Sequence, residues 1–266
     1  MAQRNSDRIH STQREQSTRK IGLARALSKL GYCSRSRAAE LIRAGRVRLN
    51  GTVRRDPETP VHLQRDRIVL DGRGIDQQQK IYLMMNKPRG LITTASDEKG
   101  RETVYALLEE AGQSLPWVAP VGRLDKASEG LLLLTNDSEW GAKIATPETH
   151  LPKTYHVQIG TLADNKLLQA LVSGVTSEDG DVLRSAQARL LRAGKKNCWL
   201  EIVLEEGKNR QIRRMLAALG VEVLRLVRVA IGPLELGRLP KGGFRALTKE
   251  EKQLLDRVMA NTGHRP

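Results

Sequence analysis

Residues 121–137 read Val-Gly-Arg-Leu-Asp-Lys-Ala-Ser-Glu-Gly-Leu-Leu-Leu-Leu-Thr-Asn-Asp. Asp125 stands in a short polar loop, with Arg123 two residues before it and Gly130 five after. The run Leu131–Leu134 is short, continuous and apolar, and reads as a buried strand. A loop anchored by such a strand can hold a carboxylate still, as a reactive group must be held. A second reading stays open: an aspartate beside a glycine is commonly a turn former or cap, bonding nearby backbone N–H groups.

A second constellation lies at residues 206–220, Glu-Gly-Lys-Asn-Arg-Gln-Ile-Arg-Arg-Met-Leu-Ala-Ala-Leu-Gly. On a helix, Ile212, Met215, Leu216 and Leu219 make the core face. Arg210, Arg213 and Arg214, spaced i, i+3, i+4, share another face. They form either a solvated basic patch or the lining of an anion site, because like charges on one turn repel. The anions to consider are RNA phosphate and the Asp125 carboxylate.

These residues must be positioned by a chain of 266 residues with 45 Lys+Arg against 30 Asp+Glu, a net charge of +15 and a pI near 10.2. The length suits one large domain, or one medium domain plus a small module. The charge calls for a polyanionic partner. No stretch approaches the roughly 18 apolar residues of a membrane span, and the polar start of the chain has no secretory signal character. The expectations are therefore nucleic acid as partner, no membrane and a cytoplasmic location. Cys33 and Cys198 are far apart and read as free thiols. The five scattered histidines show no metal-ligand spacing, and no glycine-rich phosphate loop is present, so neither metal nor cofactor is expected.

Residues 1–19 read as a disordered basic tail. In residues 20–70, Leu23, Leu27 and Leu30 share a helix face and Gly31 ends it. Ser34 caps a helix from Arg35 to Ala44, which buries Ala38, Leu41 and Ile42 and stops at Gly45. Val47–Val53 alternates around Asn50-Gly51, a hairpin signal, and Arg67–Leu70 adds a strand. Arg25, Lys29, Arg35, Arg37, Arg43, Arg46, Arg48, Arg54 and Arg55 crowd this module, with Glu40 as the one acid between Arg25 and Arg55. Such one-sided charge points to RNA or DNA. Residues 71–80 read as a linker and 81–262 as a larger domain. There, strands are expected at Ile81–Met85, Leu131–Leu134, Lys153–Ile159, Ala188–Leu191, Cys198–Glu205 and Val223–Val229. Helices are expected at Thr103–Ala111, from Asp164 to Gly174, and after the capping box Thr248–Glu251. Strands outnumber helices without regular alternation, so the fold class is α+β, with a mixed, mainly antiparallel sheet and packed helices.

The stretch from Leu23 to Gly51 resembles the ribosomal S-four-type RNA-binding module. Asn86-Lys87-Pro88-Arg89-Gly90, Gly122-Arg123-Leu124-Asp125, Lys153-Thr154-Tyr155-His156-Val157 and Gly207–Met215 then occur in the order found in pseudouridine synthases. Arg228-Val-Ala-Ile-Gly-Pro-Leu-Glu-Leu-Gly continues the match. The resemblance is to the branch that modifies ribosomal RNA, over roughly residues 20–255, with Lys208 where the family often has arginine.

The resemblance implies that Asp125 is the catalytic aspartate, attacking the sugar or assisting glycosidic cleavage, without cofactor. Arg213 would keep it ionised. Tyr155 would stack on the uracil; as a strand residue it could equally be core. The target base would leave its helix, and Arg123 would fill the vacated space. Arg210, Arg214, Lys87, Lys153, Arg35, Arg37 and Arg43 are the expected RNA contacts, with Lys87 and Lys153 suited to phosphate or sheet-edge positions. The expected partner is ribosomal RNA, more specifically of the large subunit, bound by a monomer. The competing reading is a non-catalytic RNA-binding or ribosome-assembly protein, which has no need of Asp125. DNA binding is disfavoured by the absence of a recognition-helix motif, and a multi-aromatic stacking platform by an aromatic content of 3%.

Overall fold

The computed structural model describes residues 20–94, 99–112 and 115–262; the basic tail expected at 1–19 lies outside them. The described residues divide into two units, 20–81 with 115–119 and 136–138, and the remainder.

In the first unit, β1 (Ile21–Gly22) leads into α1 (Leu23–Lys29), α2 (Arg35–Arg43), β2 (Val47–Leu49), β3 (Thr52–Arg54), β4 (Pro60–Val61), β5 (Ile68–Leu70) and β6 (Arg73–Gly74). The local signals act as expected. Ser34 Oγ accepts from the Arg37 N–H at 3.1 Å, and Gly31 and Gly45 end the helices at φ +78° and +74°. Asn50 and Gly51 both take positive φ, so Leu49 pairs with Thr52 across a two-residue turn. Leu23, Leu27, Ala38, Leu41, Ile42, Val47 and Ile68 share one core. Strand β6 was not expected. Asp71-Gly72 repeats the same turn geometry and returns Arg73–Gly74 onto Val69–Leu70, while Ile75 packs on the core. Polar composition hid this return, because its residues hold the sheet through backbone bonds. Both cysteines are free and buried, and burial pushes the Cys33 thiol up to about 11.

The second unit contains β7 (Tyr82–Lys87), α3 (Tyr105–Glu110), β8 (Ala119–Val121), β9 (Glu129–Thr135), α4 (Ser138–Ala145), β10 (Lys153–Ile159), α5 (Asn165–Ser173), β11 (Val175–Thr176), β12 (Val182–Leu183), β13 (Gln187–Ala193), β14 (Cys198–Leu204), α6 (Gln211–Ala218), β15 (Val223–Ile231), β16 (Leu234–Glu235), β17 (Phe244–Ala246) and α7 (Lys249–Thr262). A nine-stranded sheet runs β13-β14-β10-β15-β9-β7-β17, with β16 on β15 and β8 on β9. The join of β9 to β15 is parallel, whereas β10–β14, β13–β14, β10–β15, β7–β9 and β7–β17 are antiparallel. The mixed, mainly antiparallel sheet with packed helices is thus present. The sequence did not lead us to expect α4, β8, β11, β12, β16 or β17, most of them too short to show a period.

Strand β9 is buried at every residue, so it sits between two covered faces, as its unbroken apolar run required. Met84, Leu131, Leu133, Trp140 and Leu255 form one core. Val157, Leu200, Ile202, Ile212 and Met215 form another. Gly130 makes the parallel join possible. At φ +101° a Cβ there would lie 2.2 Å from the Arg228 carbonyl oxygen, so only glycine allows the two backbones this close. A bulge in β15 sets the facing of its residues. Thr154 pairs with Ala230 but Tyr155 pairs with Arg228, skipping Val229. Leu226, Arg228 and Ile231 consequently all line one cleft.

Glu129 opens β9 with a side chain only 4% exposed, held by Arg225 (Nε at 2.8 Å) and Lys241 (Nζ at 2.7 Å). Burial alone would raise its pKa, but hydrogen bonds and charge from Arg225 and Lys241 outweigh this and bring it down to about 2. The folded-state value lies below the unfolded one, so this stabilisation is complete above pH 4.5 and is lost as pH falls toward 2. In denaturant titrations across that window, Glu129→Gln should lack this part of the wild-type decline and be less stable at pH 7. Parallel wild-type and variant curves would contradict the assignment.

Candidate active site

Asp125 occupies the loop between β8 and β9, half-buried. Its position is fixed mainly through the backbone. The Ser128 N–H donates to the Asp125 carbonyl oxygen at 2.9 Å and the Gly90 N–H to that of Lys126 at 2.8 Å. Thr93 Oγ1 donates to the Leu124 carbonyl oxygen at 2.8 Å. Below the loop lies Lys87, 0% exposed. Its ammonium donates to the carbonyl oxygens of Pro88 (3.0 Å), Asp125 (3.2 Å) and Ser128 (2.9 Å). Burial pushes the Lys87 ammonium down to about 8, against the opposing pull of Asp125 and Glu129. Lys87 therefore does not reach phosphate or a sheet edge, as had been expected. All three of its protons are used inside the protein, beneath the loop it holds.

Arg213, on α6, reaches the same loop from the other side, and its Nη2 donates to the Ala127 carbonyl oxygen at 3.1 Å. The guanidinium is close enough for the Asp125 charge to raise its pKa. Burial lowers it by more, and Arg210 and Arg89 add to that lowering. The expected partnership is thus electrostatic in this state, and the hydrogen bond goes to the backbone two residues on. An arginine remains a cation under such a shift.

The other two arginines of that cluster part company. Arg210 sits at the N-cap of α6 with φ +48°, off the helix face on which regular spacing had placed it. It is exposed and lines the cleft. Arg214 pairs with Asp179 at 2.9 Å and Asp181 at 2.7 Å, and also donates to Ser177 Oγ at 3.0 Å. These acids belong to the β11–β12 hairpin. The anions that meet Arg214 here are the protein's own carboxylates, not Asp125, which reduces its availability to phosphate.

The cleft, about 190 Å³, is lined by Asp125, Arg123, Tyr155, Lys153, Arg210 and Arg228 among other residues. Arg123 is exposed on the Asp125 loop. Tyr155 on β10 both lines the cleft and packs against the apolar core. Lys153 is half-buried at the start of β10, and burial together with the Arg228 charge pushes its ammonium down to about 8.

Two participants were missed from sequence. Gln211, 2% exposed, ties down the 206–210 loop. Its Oε1 accepts from the Lys208 N–H at 3.2 Å, and its Nε2 donates to Arg184 O at 2.9 Å and Glu206 Oε1 at 2.8 Å. Arg228 is buried and donates from Nε to Leu131 O at 2.7 Å. A cation inside the apolar strand Val223–Ile231 was the available signal. Arg35, Arg37 and Arg43 are exposed on α2 of the first unit. Arg37 pairs with Glu40 at 2.8 Å, whereas Arg25, Arg35, Arg43 and Arg54 have no ion-pair partner among the described residues. In the described residues no cluster of three His, Cys, Asp or Glu could hold a metal, and no helix is long and apolar enough to cross a membrane.

Comparison with known proteins gives the family of the chain. Residues 81–218 match the family model described as RNA pseudouridylate synthase, and residues 21–68 match the S4 domain. An uncharacterized RNA pseudouridine synthase of Aquifex aeolicus is 38% identical over 232 residues, covering 87% of this chain and 92% of that protein. Ribosomal large subunit pseudouridine synthase B of Bacillus subtilis is 36% identical over 243 residues, covering 91% and 97%. A crystal structure of a pseudouridylate synthase superposes with a TM-score of 0.61 at 29% identity, covering 88% of this chain and 99% of that one.

If Lys87 holds the carboxylate loop, Lys87→Met should strand three carbonyl oxygens. Stability should fall by about 2–4 kcal/mol, and turnover by about 100-fold. RNA affinity should stay within about threefold, since Lys87 is out of solvent. Denaturant unfolding, single-turnover kinetics and filter binding would check this; weakened binding with normal turnover would return Lys87 to the RNA contacts.

Proposed function

Since the chain belongs to the RNA pseudouridylate synthase family, we propose that it isomerises uridine in large-subunit ribosomal RNA with Asp125 as nucleophile. The supporting observation is the clasped loop: Lys87 and Arg213 bind its backbone and leave the Asp125 side chain facing a cleft that also holds Tyr155. The choice of RNA rests on the substrate named for the Bacillus subtilis relative and on the basic S4 domain.

The carboxylate attacks C1′ of the target uridine and the C1′–N1 bond breaks. The freed uracil turns, its C5 bonds to C1′, and the carboxylate is released. The C5 proton is then removed and N1 gains one, so atoms and charge balance without cofactor. Arg213 sets its positive charge beside the loop that carries the carboxylate. Tyr155 stacks on the ring and assists removal of the C5 proton. The reaction needs the nucleotide outside its helix, and Arg123, exposed on the same loop, takes the vacated stacking position through its planar cation. Arg35 and Arg43 anchor phosphate.

Asp125→Asn preserves shape and removes the charge. Release of tritium from uridine labelled at carbon 5 should fall by at least about 10⁴-fold, while folding is kept and RNA binding persists or tightens. Wild-type release by the variant would exclude the mechanism. For the RNA anchor, changing Arg25, Arg35 and Arg43 together to alanine should weaken binding. It should also reduce the slope of log affinity against log salt by about 2–3, near 0.9 for each phosphate no longer neutralised. Turnover of bound RNA should be unaltered, and an unchanged salt slope would remove these residues from the interface.

A further inference from the structure

Arg228 is 6% exposed and lines the Asp125 cleft. Its Nε is satisfied by Leu131 O, but its Nη2 is buried without a hydrogen-bond partner. An unused donor on a buried cation is costly, and in a reaction cleft it marks a place where another molecule supplies the acceptor. Lys153 lines the same cleft, close enough for Arg228 to lower its pKa. Two desolvated cations side by side are favourable only when an anion joins them. Asp125 is the one acid among the residues lining the cleft, and its charge is committed to the sugar. In the β10–β15 register Arg228 is the direct partner of Tyr155. Paired residues share a sheet face, so the cations stand beside the residue that faces the base.

We propose that Lys153 and Arg228 form a leaving-group site that holds the uracil as an anion between bond breaking and bond making. The proposal rests on the reading of Asp125 as nucleophile. As a carboxylate oxygen bonds to C1′, the C1′–N1 electron pair stays on the uracil. The charge spreads over N1, O2 and O4. Lys153 and the unused Arg228 donor bind the ring oxygens, which stabilises this charge and keeps the base from diffusing away. When C5 attacks C1′, the pair returns to the new bond and the carboxylate regains its own.

The test uses full-length protein and an RNA that the wild type modifies, transcribed with uridine or with 5-fluorouridine. Fluorine at C5 makes the uracil a better leaving group, so cleavage depends less on stabilisation by the protein. Loss of the N-linked nucleoside is followed in single turnover at saturating RNA. Lys153→Met should slow uridine cleavage by about 100-fold and 5-fluorouridine cleavage by about tenfold less than that, with Lys153→Arg keeping most of the rate. Arg228→Met should show the same substrate dependence. Because Arg228 also supports Leu131 and its variant can misfold, Lys153→Met decides the matter. Equal losses on both substrates would overturn the proposal. So would a loss seen only below saturation, which is the mark of a phosphate contact. Asp125→Asn is run alongside: activity in that variant overturns the nucleophile reading, while the substrate-dependent loss at Lys153 still decides the leaving-group site.

Discussion

The carboxylate loop is held by cations that bind its backbone and not its acid. Lys87 gives its three protons to the carbonyl oxygens of Pro88, Asp125 and Ser128, and Arg213 gives one to that of Ala127. A carboxylate gripped directly would be stable but spent, its lone pairs occupied and its nucleophilicity reduced. Gripping the carbonyls fixes the loop and leaves the side-chain oxygens out of these bonds. Burial of Lys87 is costly, and only full use of its donors makes it tolerable.

The sheet is arranged around that loop. β9 starts four residues after Asp125 and must pass between β7, which carries Lys87, and β15, which carries Arg228. The glycine at 130 admits this approach, and the bulge at Val229 turns Arg228 and Ile231 toward the same cleft. Glu129 anchors the strand start through Arg225 and Lys241. Removing any of these would loosen the site without touching a reacting atom.

Much of this was legible in the chain. The four leucines after Gly130, the alternation at Lys153–Ile159, the Asn50-Gly51 turn and the Thr248–Glu251 capping box each carry a local physical signature. Their elements formed where expected. What stayed hidden depends on distant partners. Nothing local distinguishes a lysine under a loop from one reaching phosphate, so Lys87 was placed at the wrong surface. Helical spacing could not show that Arg210 leaves the helix in a left-handed turn, nor that Arg214 meets Asp179 and Asp181. Short elements such as β6 and β17 escaped because two or three residues cannot display a period.

The parallel join of β9 to β15 also has a bearing on synthesis. It links Glu129 to Val227, nearly a hundred positions apart, whereas the core of the first unit is assembled within residues 21–75. Contacts close along the chain form early and distant ones late. During translation the arginine-rich module can be complete while β15 has yet to emerge from the ribosome. Until it does, the strand that follows the Asp125 loop lacks its parallel neighbour. An unfinished chain thus has the means to hold RNA before it has the means to alter it.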